Sequence, residues 1–319
     1  MGKIIRRDEA LRRGVTASEI RRFVRTGSWT RLAKGLYVPS ADYEDADDRG
    51  RHAYRAQASV TNSAKGTALS HVSAAVLLGL ETWQLPLYDV HLTRNRSGGA
   101  TRAPGRVLHA SRFGEDEVVE IEGARVLQVA RTVVDLAATI PFEAAVVVGD
   151  QALRTGLVTV DELSTAVERM GRHPGRARAS RAVCFMNDRS DSVGESRSRV
   201  LMVREQLPIP ETQVDVFDAT GAWLARVDFL LREHGVIGEF DGRIKYRRDG
   251  VASMDAEDVV FREKLREDAL RRAGWVVVRW TWADLQTPGE VARRIREGIA
   301  QAARSGRPTG TWAVRKLAR

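Results

Sequence analysis

Cysteine is almost absent from this chain: Cys184 is the only one in 319 residues. No disulfide framework and no cysteine-built metal centre can form within one chain. Such usage fits a reducing compartment, so a cytoplasmic protein is expected. Long apolar runs are missing as well. Stretches such as 74–80 and 144–149 fall far short of the ~20 residues that a membrane-crossing helix needs. The first eight residues carry charge with no apolar segment behind them, unlike a secretory leader. No membrane partner is expected. There is also no internal repeat and no low-complexity tract.

What the chain does have is charge. Hydrophobic residues make up 43% and charged residues 29%, the mix of a folded globular protein rather than a disordered one. Its length allows two or three domains, each with its own core. Lys and Arg number 51 against 42 Asp and Glu, a net +9, and the isoelectric point is near 10.1. That excess points to a polyanionic partner, nucleic acid or an anionic membrane surface. A merely solvated arginine-rich surface would give the same numbers.

The first forty residues predict a helix over 8–13, ended by Gly14, and a second helix opened by Thr16-Ala-Ser-Glu19. That tetrad is a capping box. The second helix should turn Ile20, Phe23 and Val24 inward and Arg21, Arg22 and Arg25 outward before Gly27 stops it. Strands over 29–32 and 35–38 flank an Ala33-Lys34-Gly35 turn. Two helices and a hairpin outline a winged helix. In such a domain the second helix enters the major groove of duplex DNA, and Arg31 and Lys34 on the hairpin touch the phosphate backbone. A small helical cap with solvent-facing arginines is the bland alternative.

An acidic stretch over 42–50 precedes a middle section over 51–170. Helices are expected at 51–63, 70–80, 132–138, 141–154 and 159–169, and strands at 90–93, 107–110 and 118–121. His71 has no partner in the local sequence, so it reads as structural before it reads as a catalytic acid or base. The middle section holds no metal-ligand spacing, phosphate-binding glycine loop or nucleophile elbow, and it announces no chemistry. The Gly/Pro/Arg-rich stretch 171–178 resembles a linker or an exposed basic turn, and 180–187 one more helix.

From about 190 the pattern changes. A helix from Gly194 to about Gln206, a hairpin over 213–217 and 223–231, and a strand over 236–240 come first. A long helix over 257–273, a strand over 275–280 and a closing helix follow. Carboxylates gather at strand ends. Asp228 interrupts the apolar run Arg-Val-Asp-Phe-Leu-Leu, and Glu239 and Asp241 flank Phe240. Residues two apart on a strand share a face, so Glu239 and Asp241 project together and Asp228 can join them from the neighbouring strand. Buried acids are costly unless a cation offsets them. Clustered carboxylate oxygens suit Mg²⁺ or Mn²⁺, with Lys245 or Lys264 placed to neutralise developing charge. Salt bridges to Arg226, Arg243, Arg247 and Arg248 are the competing explanation. Arg197, Arg199 and Arg204 on the first tail helix could face a phosphate track or water.

These residues carry a family resemblance. Glu195, Arg-Val-Asp228, Gly-Glu239-Phe-Asp241-Gly, Glu263-Lys264-Leu-Arg266-Glu-Asp268 and Gly274-Trp275-Val-Val-Val-Arg279-Trp resemble the Vsr-like domains of the PD-(D/E)XK restriction-endonuclease superfamily, over about 190–285. The segment 11–38, with Gly-Ser-Trp-Thr-Arg-Leu-Ala-Lys-Gly-Leu-Tyr-Val, resembles the winged helix of AbiEi-type antitoxins. Ala68-Leu-Ser-His-Val-Ser-Ala-Ala is similar to a stretch in actinobacterial proteins that join such a head to such a tail. The resemblance implies an α/β (α+β overall) protein in three parts. These are a winged helix over 1–40, a mixed α/β middle domain over 51–170 and a restriction-endonuclease-like αβββαβ core over 190–319. It further implies Asp228 and Glu239 as metal-binding acids, with Asp241 beside them and Glu195 as the helix acid. In that superfamily a lysine sits two residues past the second acid, and here the position holds Asp241.

Two functions follow as expectations. One is a Mg²⁺- or Mn²⁺-dependent DNA endonuclease steered by the head, in repair or in defence against phage and plasmids. The other is a non-catalytic, antitoxin-like regulator that binds DNA through the winged helix. RNA as substrate and a homodimer as assembly are both left open.

Overall fold

The computed structural model describes residues 4–242 and 255–314, the side chains of 255–263 excepted. The chain folds as two compact units, Met1–Met186 and Asn187–Arg319.

The first unit opens with β1 (Ile5–Arg6), α1 (Arg7–Arg12), α2 (Ala17–Arg25), β2 (Trp29–Ala33), β3 (Leu36–Pro39) and α3 (Ser40–Glu44). The capping box forms as the sequence predicts. The Glu19 N–H donates to Thr16 Oγ1 at 3.2 Å, and the Thr16 N–H donates to the Glu19 carboxylate at 2.8 Å. Two of the orphan donors at this helix start are thereby satisfied. The hairpin β2–β3 is antiparallel, and β1 adds to the far side of β3. A small core of Ala10, Ile20 and Tyr37 holds the helices to the sheet, and Trp29 lies between Phe23 and Tyr37 at ring distances of 4.9 and 5.8 Å. Val24, expected inward, is exposed. The face of α2 that packs on the sheet carries Ile20, with Phe23 lying against Trp29.

Next come α4 (Asp48–Thr61), β4 (Thr67–Leu69), α5 (His71–Leu77), β5 (Val90–Asn95), β6 (Thr101–Ala103), β7 (Arg106–Ser111), β8 (Val118–Ile121) and β9 (Ala124–Leu127). The strands form one mixed sheet in the order β6-β7-β5-β4-β9-β8. Leu69, Leu92, Leu108 and Val126 pack from it against Ala56, Val60 and Ala74 of α4 and α5. His71 has company: β5 and β7 bring His91 and His109 beside it. The reading of His71 as a solitary structural histidine is corrected, because its neighbours lie 20 and 38 positions away in sequence.

The helices α6 (Val129–Thr139), α7 (Phe142–Arg154), α8 (Val160–Arg169) and α9 (Arg176–Phe185) complete the unit. Residues 171–174 form an exposed turn that runs into the buried Gly175, but 176–178 are no linker. They begin α9, whose Ala179, Ala182 and Val183 are buried in the helical core. Three arginines in its first turns hid a small-residue stripe that packs inward.

The second unit runs α10 (Val193–Arg204), β10 (Glu211–Phe217), β11 (Trp223–Leu231), β12 (Val236–Asp241), α11 (Asp255–Arg272), β13 (Val276–Thr281), α12 (Trp282–Gln286), α13 (Glu290–Ser305) and β14 (Thr311–Val314). Strands β10, β11 and β12 are antiparallel in turn, and β13 joins β12 in parallel across the α11 connection. This is the αβββαβ order expected from the sequence, with β14 added on the far side of β10. One core lies under α10 and α13, around Met202, Phe229, Trp280 and Ile295. A second lies around Val214, Val227, Ile237, Leu270 and Trp275, with α11 supplying Leu270. Gly194 on α10 permits a close approach to β12: a Cβ there would overlap the Phe240 ring. Among the described residues, no helix is long and apolar enough to cross a membrane.

Candidate functional site

Three elements of the second unit deliver polar side chains to one buried spot. Ser192 caps α10, accepting the Glu195 N–H at 3.2 Å, and its hydroxyl donates back to the Glu195 carboxylate at 2.9 Å. The Asp191 N–H donates to the other oxygen at 2.9 Å. Glu195 is thus fixed on the first turn of the helix and is only 6% exposed.

Asp228 sits on β11. The ladder pairs Thr212 with Phe229 and Val214 with Val227, so Gln213 of β10 lies across from it. The Gln213 amide donates to Glu195 at 2.9 Å and to Asp228 at 3.2 Å. On the other side, Phe229 pairs with Gly238. Continuing that register sets Asp228 opposite Glu239, and the Phe240 N–H donates to Asp228 at 2.9 Å. Gln213 holds a left-handed backbone, φ 54°, a conformation that costs a residue with a Cβ about 1–3 kcal/mol and concentrates at functional sites.

The electrostatics follow from this geometry. Burial, and then the charge of Asp228, push the Glu195 carboxyl up to about 7 despite the hydrogen bonds it accepts. Burial also raises Asp228, while the Phe240 N–H, Gln213 and the positive charge of Arg266 pull it back. Two acids in one dry spot cannot both ionise freely without a cation.

Glu239 is buried at the end of β12, and Arg266 of α11 donates to it at 3.0 Å. Asp241, two residues on, is half-buried. Of the predicted lysines, Lys264 is exposed on α11, and Lys245 lies outside the described residues, as do Arg243, Arg247 and Arg248. Among the described side chains of α11, Arg266 is the basic one that reaches the acids. Neither Arg266 nor Gln213 stands out in the sequence as a site residue. Arg266 stands in the sequence only as part of the resemblance motif Glu263-Lys264-Leu-Arg266, with no role attached to it, and nothing marked Gln213.

The donor set of Glu195, Asp228, Glu239 and Asp241 is all carboxylate oxygen, the chemistry that suits a hard divalent cation. Their present spacing is wider than a closed coordination shell. Among the described residues, the one group of three or more His, Cys, Asp or Glu side chains whose ligand atoms all lie within 4.8 Å of one another is His71, His91 and His109. The first-helix arginines divide. Arg197 is buried, its guanidinium 5.7 Å from the Trp282 ring centre. Arg199 reaches Ser190 at 3.3 Å, and only Arg204 is exposed.

In the head, Arg21, Arg22 and Arg25 of α2 are exposed, as are Arg31 and Lys34 of the hairpin. Arg22 lies 4.0 Å from Glu19, and Arg31 Nε donates to the Ala33 carbonyl at 3.4 Å.

Residues 1–40 match a family model described as "Transcriptional regulator, AbiEi antitoxin". Two curated relatives are "Uncharacterized protein MT2308" and "Uncharacterized protein Rv2248", from two strains of Mycobacterium tuberculosis. Each is 28% identical over 176 residues, which is 55% of this chain and 62% of the relative. The chain therefore spans less than two thirds of the length of the curated relatives it matches. Among solved structures, the RV2827C protein from Mycobacterium tuberculosis is 15% identical with a TM-score of 0.36, covering 61% of this chain and 75% of that one.

Proposed function

We propose that this protein binds duplex DNA through its head and hydrolyses phosphodiester bonds at the acids of its tail, with Mg²⁺ or Mn²⁺ as cofactor. The observation that carries this reading is the convergence of Glu195, Asp228 and Glu239 from a helix and two strands of an αβββαβ core. Gln213 bridges the first two at 2.9 and 3.2 Å. Those are the strand and helix positions at which the restriction-endonuclease-like resemblance expects its acids.

Asp228 and Glu239 would hold the cation, with Asp241 beside them. When bound, such an ion polarises a phosphoryl oxygen and makes a coordinated water acidic. Glu195, held on the first turn of α10 and joined to Asp228 through Gln213, would accept a proton from attacking water. Arg266, freed from Glu239, would balance charge on the phosphate, the task the superfamily gives to the lysine replaced by Asp241. Arg21, Arg22, Arg25, Arg31 and Lys34 would grip the duplex backbone. The family match over 1–40 supports the DNA-binding half.

A second reading is favoured by one ion pair. Arg266 and Glu239 at 3.0 Å, together with Asp241, describe a nuclease-like core that has traded its cation for a guanidinium. That protein would be a DNA-binding regulator without catalysis. Supercoiled plasmid incubated with Mg²⁺ or Mn²⁺ separates the two. Cleavage by the parent and none by Asp228→Ala supports the nuclease. Equal DNA binding with no cleavage by either supports the regulator.

A further inference from the structure

We propose that His71, His91 and His109 form a binding site for one divalent transition-metal ion, with Zn²⁺ the best match. The site belongs to the first unit and is independent of the tail acids.

The fold assembles it from three segments. His91 on β5 and His109 on β7 lie on adjacent parallel strands, where Thr93 is the register partner of His109. His91, two residues before Thr93, therefore shares its face of the sheet. His71 follows β4, which pairs with β5 on the other side, and the Ser70 N–H donates to the His91 carbonyl at 3.1 Å. The ligand nitrogens of the three rings all lie within 4.8 Å of one another. His91 Nδ1 and His109 Nε2 are 3.1 Å apart. A tetrahedral ion with bonds of ~2.0–2.1 Å to nitrogen sets its ligands about 3.3–3.4 Å apart, so that edge is nearly in place.

Three further features suit a metal. First, Ser70 Oγ engages His71 Nδ1 at 3.0 Å, leaving Nε2 to coordinate, and such an outer partner fixes ring orientation and tautomer in metal sites. Second, the rings are uncharged near neutrality, the state that coordinates. Burial and neighbouring charge hold His91 and His109 at about 4 and His71 well below its ordinary value. Third, the surroundings carry unmet polar groups. Thr93 Oγ1, on the shared face and 1% exposed, has no hydrogen-bond partner among the described residues. Nearby, the Arg131 guanidinium is matched by two buried carboxylates, Glu117 and Asp135, and Asp135 Oδ2 has no partner among the described residues. One guanidinium between two acids leaves room for added positive charge.

A purely structural histidine looks different here. His52 spends both ring nitrogens on the fold, at the Leu87 carbonyl (2.8 Å) and at Ser73 Oγ (2.9 Å). His91 and His109 face each other instead, and both remain partly open to solvent. Three imidazoles with an open side select Zn²⁺ and its neighbours over Mg²⁺ or Ca²⁺, and they leave a fourth position for water or another ligand.

The test is metal content. The full chain, stripped with chelator, is dialysed against Zn²⁺ at neutral pH, and bound metal is measured beside His91→Gln, His109→Gln, His71→Asn and Asp228→Ala. The expected result is one ion per chain in the parent and in Asp228→Ala, and none in the three histidine variants. Far-UV circular dichroism identifies any variant that fails to fold. Because His91 and His109 are partly exposed, their variants keep the test sharp if the buried His71→Asn does not fold. Replacement of Zn²⁺ by Co²⁺ should give the visible absorption of a tetrahedral nitrogen site in the parent alone among the folded histidine series. A parent that binds no ion, histidine variants that bind as well as the parent, or an ion lost with Asp228 would each overturn the proposal.

Discussion

Glu195 on α10 and Asp228 on β11 share a single side-chain amide, that of Gln213, which donates to one at 2.9 Å and to the other at 3.2 Å. Two buried carboxylates held by neutral donors are short of positive charge, and stability should record the deficit. Glu195 rises from an ordinary 4.5 to about 7 on folding. The folded chain then holds this proton more tightly than the unfolded chain, so stability falls as pH rises across that window. The penalty is absent below about pH 4.5 and complete above about pH 7, on the order of 3 kcal/mol. Denaturant unfolding from pH 4.5 to 8 should show this decline in the parent and a flatter profile in Glu195→Gln. Equal slopes in the two proteins would contradict the assignment.

Gly194 tests how tightly α10 must approach β12. Gly194→Ala drives a methyl into the Phe240 ring, and Phe240 carries the N–H that holds Asp228. Overpacking of this kind costs about 1–3 kcal/mol. The variant should unfold at lower denaturant and lose any activity that depends on Asp228. An unchanged unfolding midpoint would mean that the two elements have slack.

Arg131 is a separate keystone in the first unit. It donates to Glu117 at 3.1 Å and to Asp135 at 2.9 Å, with all three side chains buried. Removing one member of a buried ion cluster strands the others and costs about 3–5 kcal/mol. Arg131→Met should therefore destabilise the first unit by that amount in urea titrations. A change below ~1 kcal/mol would show that the cluster is solvated.

The head makes a prediction about salt. If Arg21 and Arg25 each neutralise a phosphate, the double Ala variant should bind every duplex more weakly. The slope of log affinity against log salt should become shallower by about 2. Fluorescence anisotropy over a salt series measures both quantities. Unchanged affinity and slope would remove α2 from the interface.

Much of this architecture was legible because local chemistry dictates it. Thr16 and Glu19 spell their helix start, and the strand carrying Val118 to Ile121 forms where expected. Asp228 announced itself as an acid inside an apolar strand. The elements that escaped are those made by tertiary pairing. β1 has two residues and exists through its partner β3, while β4 and β14 are short strands fixed by their neighbours. Gln213 and Arg266 escaped because their roles depend on which strands and helices meet. The histidine cluster escaped for the same reason, since no spacing links His71, His91 and His109 until β4, β5 and β7 pair.

The central claim, that the tail acids form a divalent-cation site, has a direct test in a crystal grown with Mn²⁺ and measured for anomalous scattering. The account predicts a peak between Asp228 and Glu239, with the Arg266 guanidinium withdrawn from Glu239. A map with no peak there and Arg266 still at 3.0 Å from Glu239 would contradict it.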